Sequence, residues 1–249
     1  MVKHFIIMAS AYSKGKRIAL DYSSESSLDM GFIQKEIDSI FEKCGKDAPI
    51  STHYIQTDGF GWNQVGKLDK FFESAELVET KEEFIRILLN DRTLKGIDIA
   101  RYILTKYPCT HLKLEKLVYM CYADYLCESG KTLFEDNIYA YKLGPVIESV
   151  YEKYRKSGTE MIEAEDDIHT YEETTKMMPI RSRILSSADG LKKLISIDKT
   201  LRTYGSFTAR GLVNITHGNN TPWSMSGAGQ MLNGLIKDEL IIKYHKYEQ

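Results

Sequence analysis

The chain has 249 residues, 43% of them hydrophobic and 27% charged, with a formal net charge of −2; a chain of that size buries a core without disulfide or metal staples. The near-neutral balance, with acids and bases mixed along the chain, argues against a protein held mainly by the phosphate backbone of a nucleic acid, which needs a basic face. No run approaches the roughly 18 apolar residues of a membrane span, and Phe5-Ile6-Ile7-Met8 is too short for the core of a secretory signal.

Lys3–Ala9 and Arg17–Tyr22 read as strands separated by the turn residues Tyr12-Ser13-Lys14-Gly15-Lys16. Phe32, Ile33, Ile37, Ile40 and Phe41 recur at helical spacing and stop at Gly45. Tyr54-Ile55-Gln56 reads as strand. Thr80 followed by Glu83 is a capping-box pattern that opens a helix through Phe84, Ile87 and Leu88. Between them, Gly59-Phe60-Gly61-Trp62-Asn63 is either a contact loop or a turn whose Phe60 and Trp62 plug a small core; the second reading is favoured. This alternation of strand and helix predicts a small α/β unit over residues 1–92.

Residues 93–249 read as mainly helical, so the fold class is α+β. Ile97, Ala100 and Ile103-Leu104 mark one helix, closed by Pro108. Thr110 caps the next, whose stripe Leu114, Leu117, Val118, Cys121 and Tyr125 runs to Gly130. Gly144-Pro145 is read as the start of a third helix, proline at its first position, with Val146, Val150, Tyr151 and Tyr154 inward. The acids of 159–173 read as a solvated loop, lacking the glycine-punctuated ligand pattern of a calcium site. Helix signals resume over Ile184–Ile195; Ser206 is read as the cap of a helix to His217; Thr221-Pro222 restarts a helix, and Glu239–Tyr244 ends the chain.

The four cysteines, Cys44, Cys109, Cys121 and Cys127, form no CxxC pair, which predicts reduced thiols in a cytoplasmic protein and no metal site. No nucleophile elbow, zinc helix, Walker loop or dinucleotide fingerprint occurs, so neither a catalytic residue nor a cofactor is expected.

Three segments together carry a family resemblance. Thr110-His111-Leu112-Lys113-Leu114-Glu115-Lys116-Leu117-Val118-Tyr119 is similar to a threonine followed by a Lys-Leu-x-Lys-Leu-x-Tyr helix; Leu133-Phe134 with Ile138–Val146 is similar to an Ala-aromatic-x-x-Gly-Pro-Val signature; Leu212–His217 with Thr221-Pro222-Trp223 is similar to a closing Thr-His…Pro-Trp element. In this order they resemble the Panacea domain of SocA-like and phage-associated GepA proteins, over about residues 95–247. Glu115 stands where that family often has Gln, and Tyr141 where it often has Trp. The resemblance implies a helical antitoxin domain, often prophage-borne, that neutralises a cognate protein toxin, encoded next to it, by direct contact. Delivery of the partner to a protease is a less general implication. Residues 1–92 lie outside it, and their expected role is further partner contact or self-association.

Gly144, Pro145, Thr216, His217, Pro222 and Trp223 are read as structural parts of that motif. His217 has two readings, a helix-end residue whose charged form is favoured and a catalytic base, the first preferred. Nine of the 16 tyrosines lie between Tyr102 and Tyr154. Offsets of three and six drift around a helix, so some of these rings should reach the surface and serve an interface; a half-buried tyrosine core is the equal alternative. Lys113, Lys116, Tyr119, Tyr122, Tyr141 and Tyr151 are therefore the candidate partner-binding residues, the lysines suiting an acidic partner. DNA binding is not indicated, the one short basic cluster in the helical region, Arg181–Arg183, being thin.

Overall fold

The computed structural model describes residues 1–162, 180–227 and 233–248; the acids between 163 and 173 lie outside them. It divides into two compact units, residues 1–93 with 180–189, and residues 94–162 with 190–248.

In the first unit β1 (Val2–Ala11) and β2 (Lys16–Ser24) form a hairpin around a single 3₁₀ turn and the left-handed Gly15. β3 (Ile50–Thr57) pairs antiparallel with the other side of β1, and the short β4 (Ala75–Leu77) lies parallel to β2, giving the order β3-β1-β2-β4. One face of β1 and β2, with Ile7, Ala9, Ile18 and Leu20, packs on α1 (Met30–Cys44) and α4 (Lys81–Arg92) through Ile40, Phe84 and Leu88. The other face, with Ile6, Met8 and Ala19, packs under α2 (Trp62–Leu68) and α3 (Lys70–Glu73) through Val65 and Phe72. Cover on both faces explains why β1 reads as a nearly continuous apolar run instead of alternating.

Thr80 caps α4 by accepting from the Glu83 N–H, as the capping-box pattern predicts. The glycine-flanked loop divides its aromatics. Trp62 packs inward and donates its Nε1–H to the Ala75 carbonyl at 2.9 Å, whereas Phe60 is exposed, which corrects the reading of both rings as core plugs. Buried His4 bridges Asp21 (Nδ1, 2.8 Å) and Thr57 (Nε2, 2.8 Å) and so ties all three long strands together.

Residues 180–189 hold α8 (Ile180–Leu185), whose Arg183 donates to the carbonyls of Asp91 and of Thr93 (2.6 Å) at the end of α4. A cation on the last carbonyls of a helix is a favourable helix end. It also withdraws Arg183 from the thin basic cluster of the sequence. Asp189, at φ 55°, separates α8 from α9 (Gly190–Tyr204), where the sequence signal ran unbroken.

The second unit is built around α6 (His111–Ser129), capped by Thr110 and stopped at the left-handed Gly130. It is buried without interruption from Leu114 to Ala123, because α5 (Gly96–Leu104), α9, α10 (Ala209–Thr216), α12 (Asp238–Tyr244) and a small sheet surround it. Covered in this way, α6 buries its polar Glu115 and Lys116 along with its apolar stripe. The sheet has the order β7-β6-β9, with β6 (Ile138–Tyr141), β7 (Gly144–Ile147) and β9 (Gly234–Leu235). β5 (Cys109–Thr110) and β8 (Met161–Ile162) form a separate two-stranded antiparallel ladder.

Two helix starts differ from the sequence reading. Gly144-Pro145 opens a strand, and α7 begins only at Glu148 (Glu148–Tyr154). Gly144, at φ 108°, has left helical space, and β7 is an edge strand, where a sheet accepts proline. α10 is capped by Thr208, which accepts from the Gly211 N–H, and not by Ser206. The short α11 (Pro222–Met225) starts as read, with Thr221 as cap and Pro222 in its first turn.

Candidate protein-interaction site

The three motif segments meet at the β6–β7 hairpin. Tyr141 pairs with Gly144, so Lys142-Leu143 is a two-residue turn. Beneath it the fully buried Lys116 donates from Nζ to the Pro145 carbonyl at 2.6 Å. A Cβ on Gly144 would lie 2.9 Å from Lys116 Cε and 3.0 Å from Thr216 Oγ1, so only glycine admits both the backbone angle and the approach of α6 and α10. Burial pushes the Lys116 ammonium down to about 8, partly offset by neighbouring Glu115. Glu115, also buried, accepts from the Ile147 N–H at 3.1 Å and so fixes the far end of β7.

Trp223 clamps the hairpin from the side, donating from Nε1 to the Tyr141 carbonyl at 2.8 Å. His217 stacks on its indole, 3.8 Å between centroids and 6° from parallel. Thr221 bonds the Thr216 carbonyl at 2.8 Å and joins α10 to α11. Burial, then the Lys116 charge, hold the His217 ring below its ordinary value against a raising hydrogen bond to the Leu143 backbone. His217 does stand at the end of α10, but the charged form expected there is disfavoured. Replacing Trp223 by Phe keeps the ring stack and removes one hydrogen bond. It is expected to cost about 1 kcal/mol, read as a small drop in melting temperature with unchanged near-neutral solubility; no change would mean that the clamp contributes nothing.

The six candidate contact residues separate. Tyr141 and Tyr151 are half-buried neighbours with centroids 5.4 Å apart, beside the exposed Leu143, and Tyr151 also leans on His111 at 5.1 Å. Lys113 spends its ammonium on the Gly205 carbonyl at 2.7 Å. Lys116, Tyr119 and Tyr122 are buried and reach no surface, which corrects their reading as contacts. α6 is wrapped on every side, so helical drift exposes none of its three central tyrosines. Tyr122 donates to Asp238 Oδ1 at 2.9 Å at the wall of a cavity of about 600 Å³ also lined by Phe134, Asp136 and Glu239.

Tyr119 belongs to a buried polar network that the sequence did not announce. Its hydroxyl donates to Glu248 Oε2 at 2.8 Å; His245 lies 2.7 Å from the same oxygen through Nδ1 and 2.7 Å from Asp124 Oδ1 through Nε2. Thr200 of α9 donates to the other Asp124 oxygen at 2.5 Å. Burial lowers the His245 ring, but its hydrogen bonds to Asp124 and Glu248 prevail and push it up to about 9. The network ties the last residues of the chain to α6 and α9. Only the i,i+3 pairing of His245 and Glu248 was visible in sequence.

The site is a packed clamp that holds a hairpin turn outward, an arrangement suited to binding. Among the described residues no group of three or more His, Cys, Asp or Glu side chains is placed to hold a metal ion, and no helix is long and apolar enough to cross a membrane.

Residues 114–224 match the family model described as antitoxin SocA-like, Panacea domain, so this part of the chain is similar to that family of antitoxins. The chain is also similar to the antitoxin SocA of Caulobacter vibrioides (strain NA1000 / CB15N), with 27% identity over 136 residues, which are 51% of this chain and 64% of that relative. The match therefore spans less than two thirds of the relative's length. No solved structure matches.

Proposed function

We propose that the chain is the antitoxin of a two-gene pair and neutralises a protein toxin, encoded beside it, by direct binding through the outer side of the β6–β7 hairpin. The supporting observation is the contrast at that hairpin. Its base is fixed by Lys116, Gly144 and Trp223, while Leu143 is 52% exposed at the turn and Tyr141 and Tyr151 stand half-buried beside it. A turn already held in one shape loses little entropy on binding, and tyrosine rings around an apolar centre are the usual material of binding hot spots. An interface of ordinary size buries about 1,200–2,000 Å² in total.

Co-expression with each flanking open reading frame tests the proposal. One neighbour is expected to arrest growth alone, to be tolerated with this chain, and to co-purify with it. Leu143→Asp and Tyr141→Ala are each expected to weaken that complex about tenfold or more, equivalent to roughly 1.4 kcal/mol, without lowering the melting temperature, since Trp223 grips a backbone carbonyl. Neighbours that are harmless and unbound sink the proposal.

A further inference from the structure

The sheet of the first unit has two differently built edges. β4 is three residues long, and its Glu76 is held by Lys14 at 2.5 Å and Lys16 at 3.3 Å. Short and charged strands are how sheets avoid pairing with other chains. The opposite edge, β3, is eight residues long and follows β1 in unbroken antiparallel register. Its sequence, Ile50-Ser51-Thr52-His53-Tyr54-Ile55-Gln56-Thr57, contains no Lys, Arg, Asp, Glu or Pro. Among the described residues no strand pairs with its outer side. Rings stand exposed on both faces of this edge: Tyr54, 54% exposed and paired with Phe5 on the α1 face, and Phe71, 43% exposed and packed on His53 on the other.

We infer that β3 is a self-association edge, at which two copies of the chain pair β3 against β3 about a two-fold axis and join two four-stranded sheets into one of eight. Antiparallel two-fold pairing sets a strand against itself, so any charged side chain near the axis meets its like; β3 carries no Lys, Arg, Asp or Glu to do so. Parity narrows the register. Each face keeps its own side chains only if odd positions meet odd and even meet even. The register centred on Tyr54 sets that ring against its counterpart, Thr52 against Gln56, His53 against Ile55 and Ser51 against Thr57. An aromatic pair then lies on the axis, where cross-strand pairs stabilise a sheet. Centring on His53 would instead oppose two imidazoles.

Sedimentation of the full chain at micromolar concentrations is expected to give twice the 28.6 kDa chain mass. Tyr54→Lys, which sets two ammonium groups against each other, is expected to give the single-chain mass with an unchanged circular dichroism spectrum. A chain that stays monomeric at every concentration, or a dimer that survives Tyr54→Lys, overturns the inference. Cross-linking reads the register independently. Cys127 is free and exposed, so the background is Cys127→Ser. There Tyr54→Cys is expected to oxidise to a linked dimer, because opposed Cα atoms lie about 4.5–5.5 Å apart, within disulfide reach. Thr52→Cys, displaced from its counterpart by roughly 14 Å along the strand, is expected not to link. Equal linking at both positions is random collision and counts against the pairing. A wild-type chain that is monomeric alone but loses its toxin on Tyr54→Lys assigns the edge to the toxin and likewise overturns self-pairing.

Discussion

Gly144→Ala is expected to destabilise the second unit by about 3–5 kcal/mol, the sum of left-handed backbone strain and overpacking in a closed site. Both causes are visible at the one residue. Its φ of 108° disfavours any side chain, and the added methyl would meet Lys116 Cε at 2.9 Å and Thr216 Oγ1 at 3.0 Å. Lys116 has a flexible stem, but it can withdraw only by releasing the Pro145 carbonyl, leaving a buried ammonium without that partner. Gly130→Ala separates the two causes. Gly130 is also left-handed, at φ 68°, yet nothing lies within 4 Å of its would-be Cβ; its loss should be about 1 kcal/mol. Thermal or urea unfolding of both variants reads the difference. Equal losses would mean that α6 and α10 yield to the methyl and the clamp is loose. The larger loss at Gly144 should be accompanied by weaker binding of the toxin partner proposed above, since the Lys142-Leu143 turn is presented from that base.

The pattern of Gly144-Pro145 shows how far the sequence reaches. Glycine then proline, ahead of Val146 and Val150 at helical spacing, is locally a helix start, and nothing nearby contradicts it. The deciding contacts come from Lys116 and Thr216, far away in the chain, and they select a strand. Local chemistry was sufficient where the partner is local: Thr80 caps Glu83, Thr110 caps Lys113 and Thr221 caps Ser224 within three residues. It was also sufficient for the long apolar stripe of α6 and for the three motif segments that define the domain. It failed for the remaining sides of α6, because burial of Lys116, Tyr119 and Tyr122 depends on which elements surround the helix. Side chains with polar ends are read as surface until their partners are known, and here those partners are Pro145, Glu248 and Asp238. Phe60 and Trp62 illustrate the same limit in the first unit, since the Ala75 carbonyl that accepts the Trp62 ring N–H comes from another element and the phenyl ring has no such donor.

The buried network at the chain's end gives the second large effect, and its sign follows from proton linkage. His245 holds its proton up to about 9 in the folded chain, whereas an unfolded histidine releases it near 6.5. Its stabilisation is therefore complete below pH 6.5 and is lost as pH rises through about 9. Between pH 6.5 and 8 the second unit should lose about 1.5 kcal/mol of stability. Glu248, raised by burial, acts in the same direction. Lys116, lowered to about 8, acts in the opposite direction, chiefly above pH 8, so the window below 8 is the one to measure. His245→Ala removes the cation from between the buried Glu248 and the partly buried Asp124 and should cost about 3–5 kcal/mol, the usual consequence of breaking a buried ion pair from one side. His245→Gln keeps hydrogen-bonding capacity without a titrating proton, and should flatten the profile between pH 6.5 and 8 while costing less. Denaturant unfolding of the wild type and both variants across that range provides the test. A flat wild-type profile would show that His245 is not held as a cation, and a slope that persists in His245→Gln would assign the proton to another group.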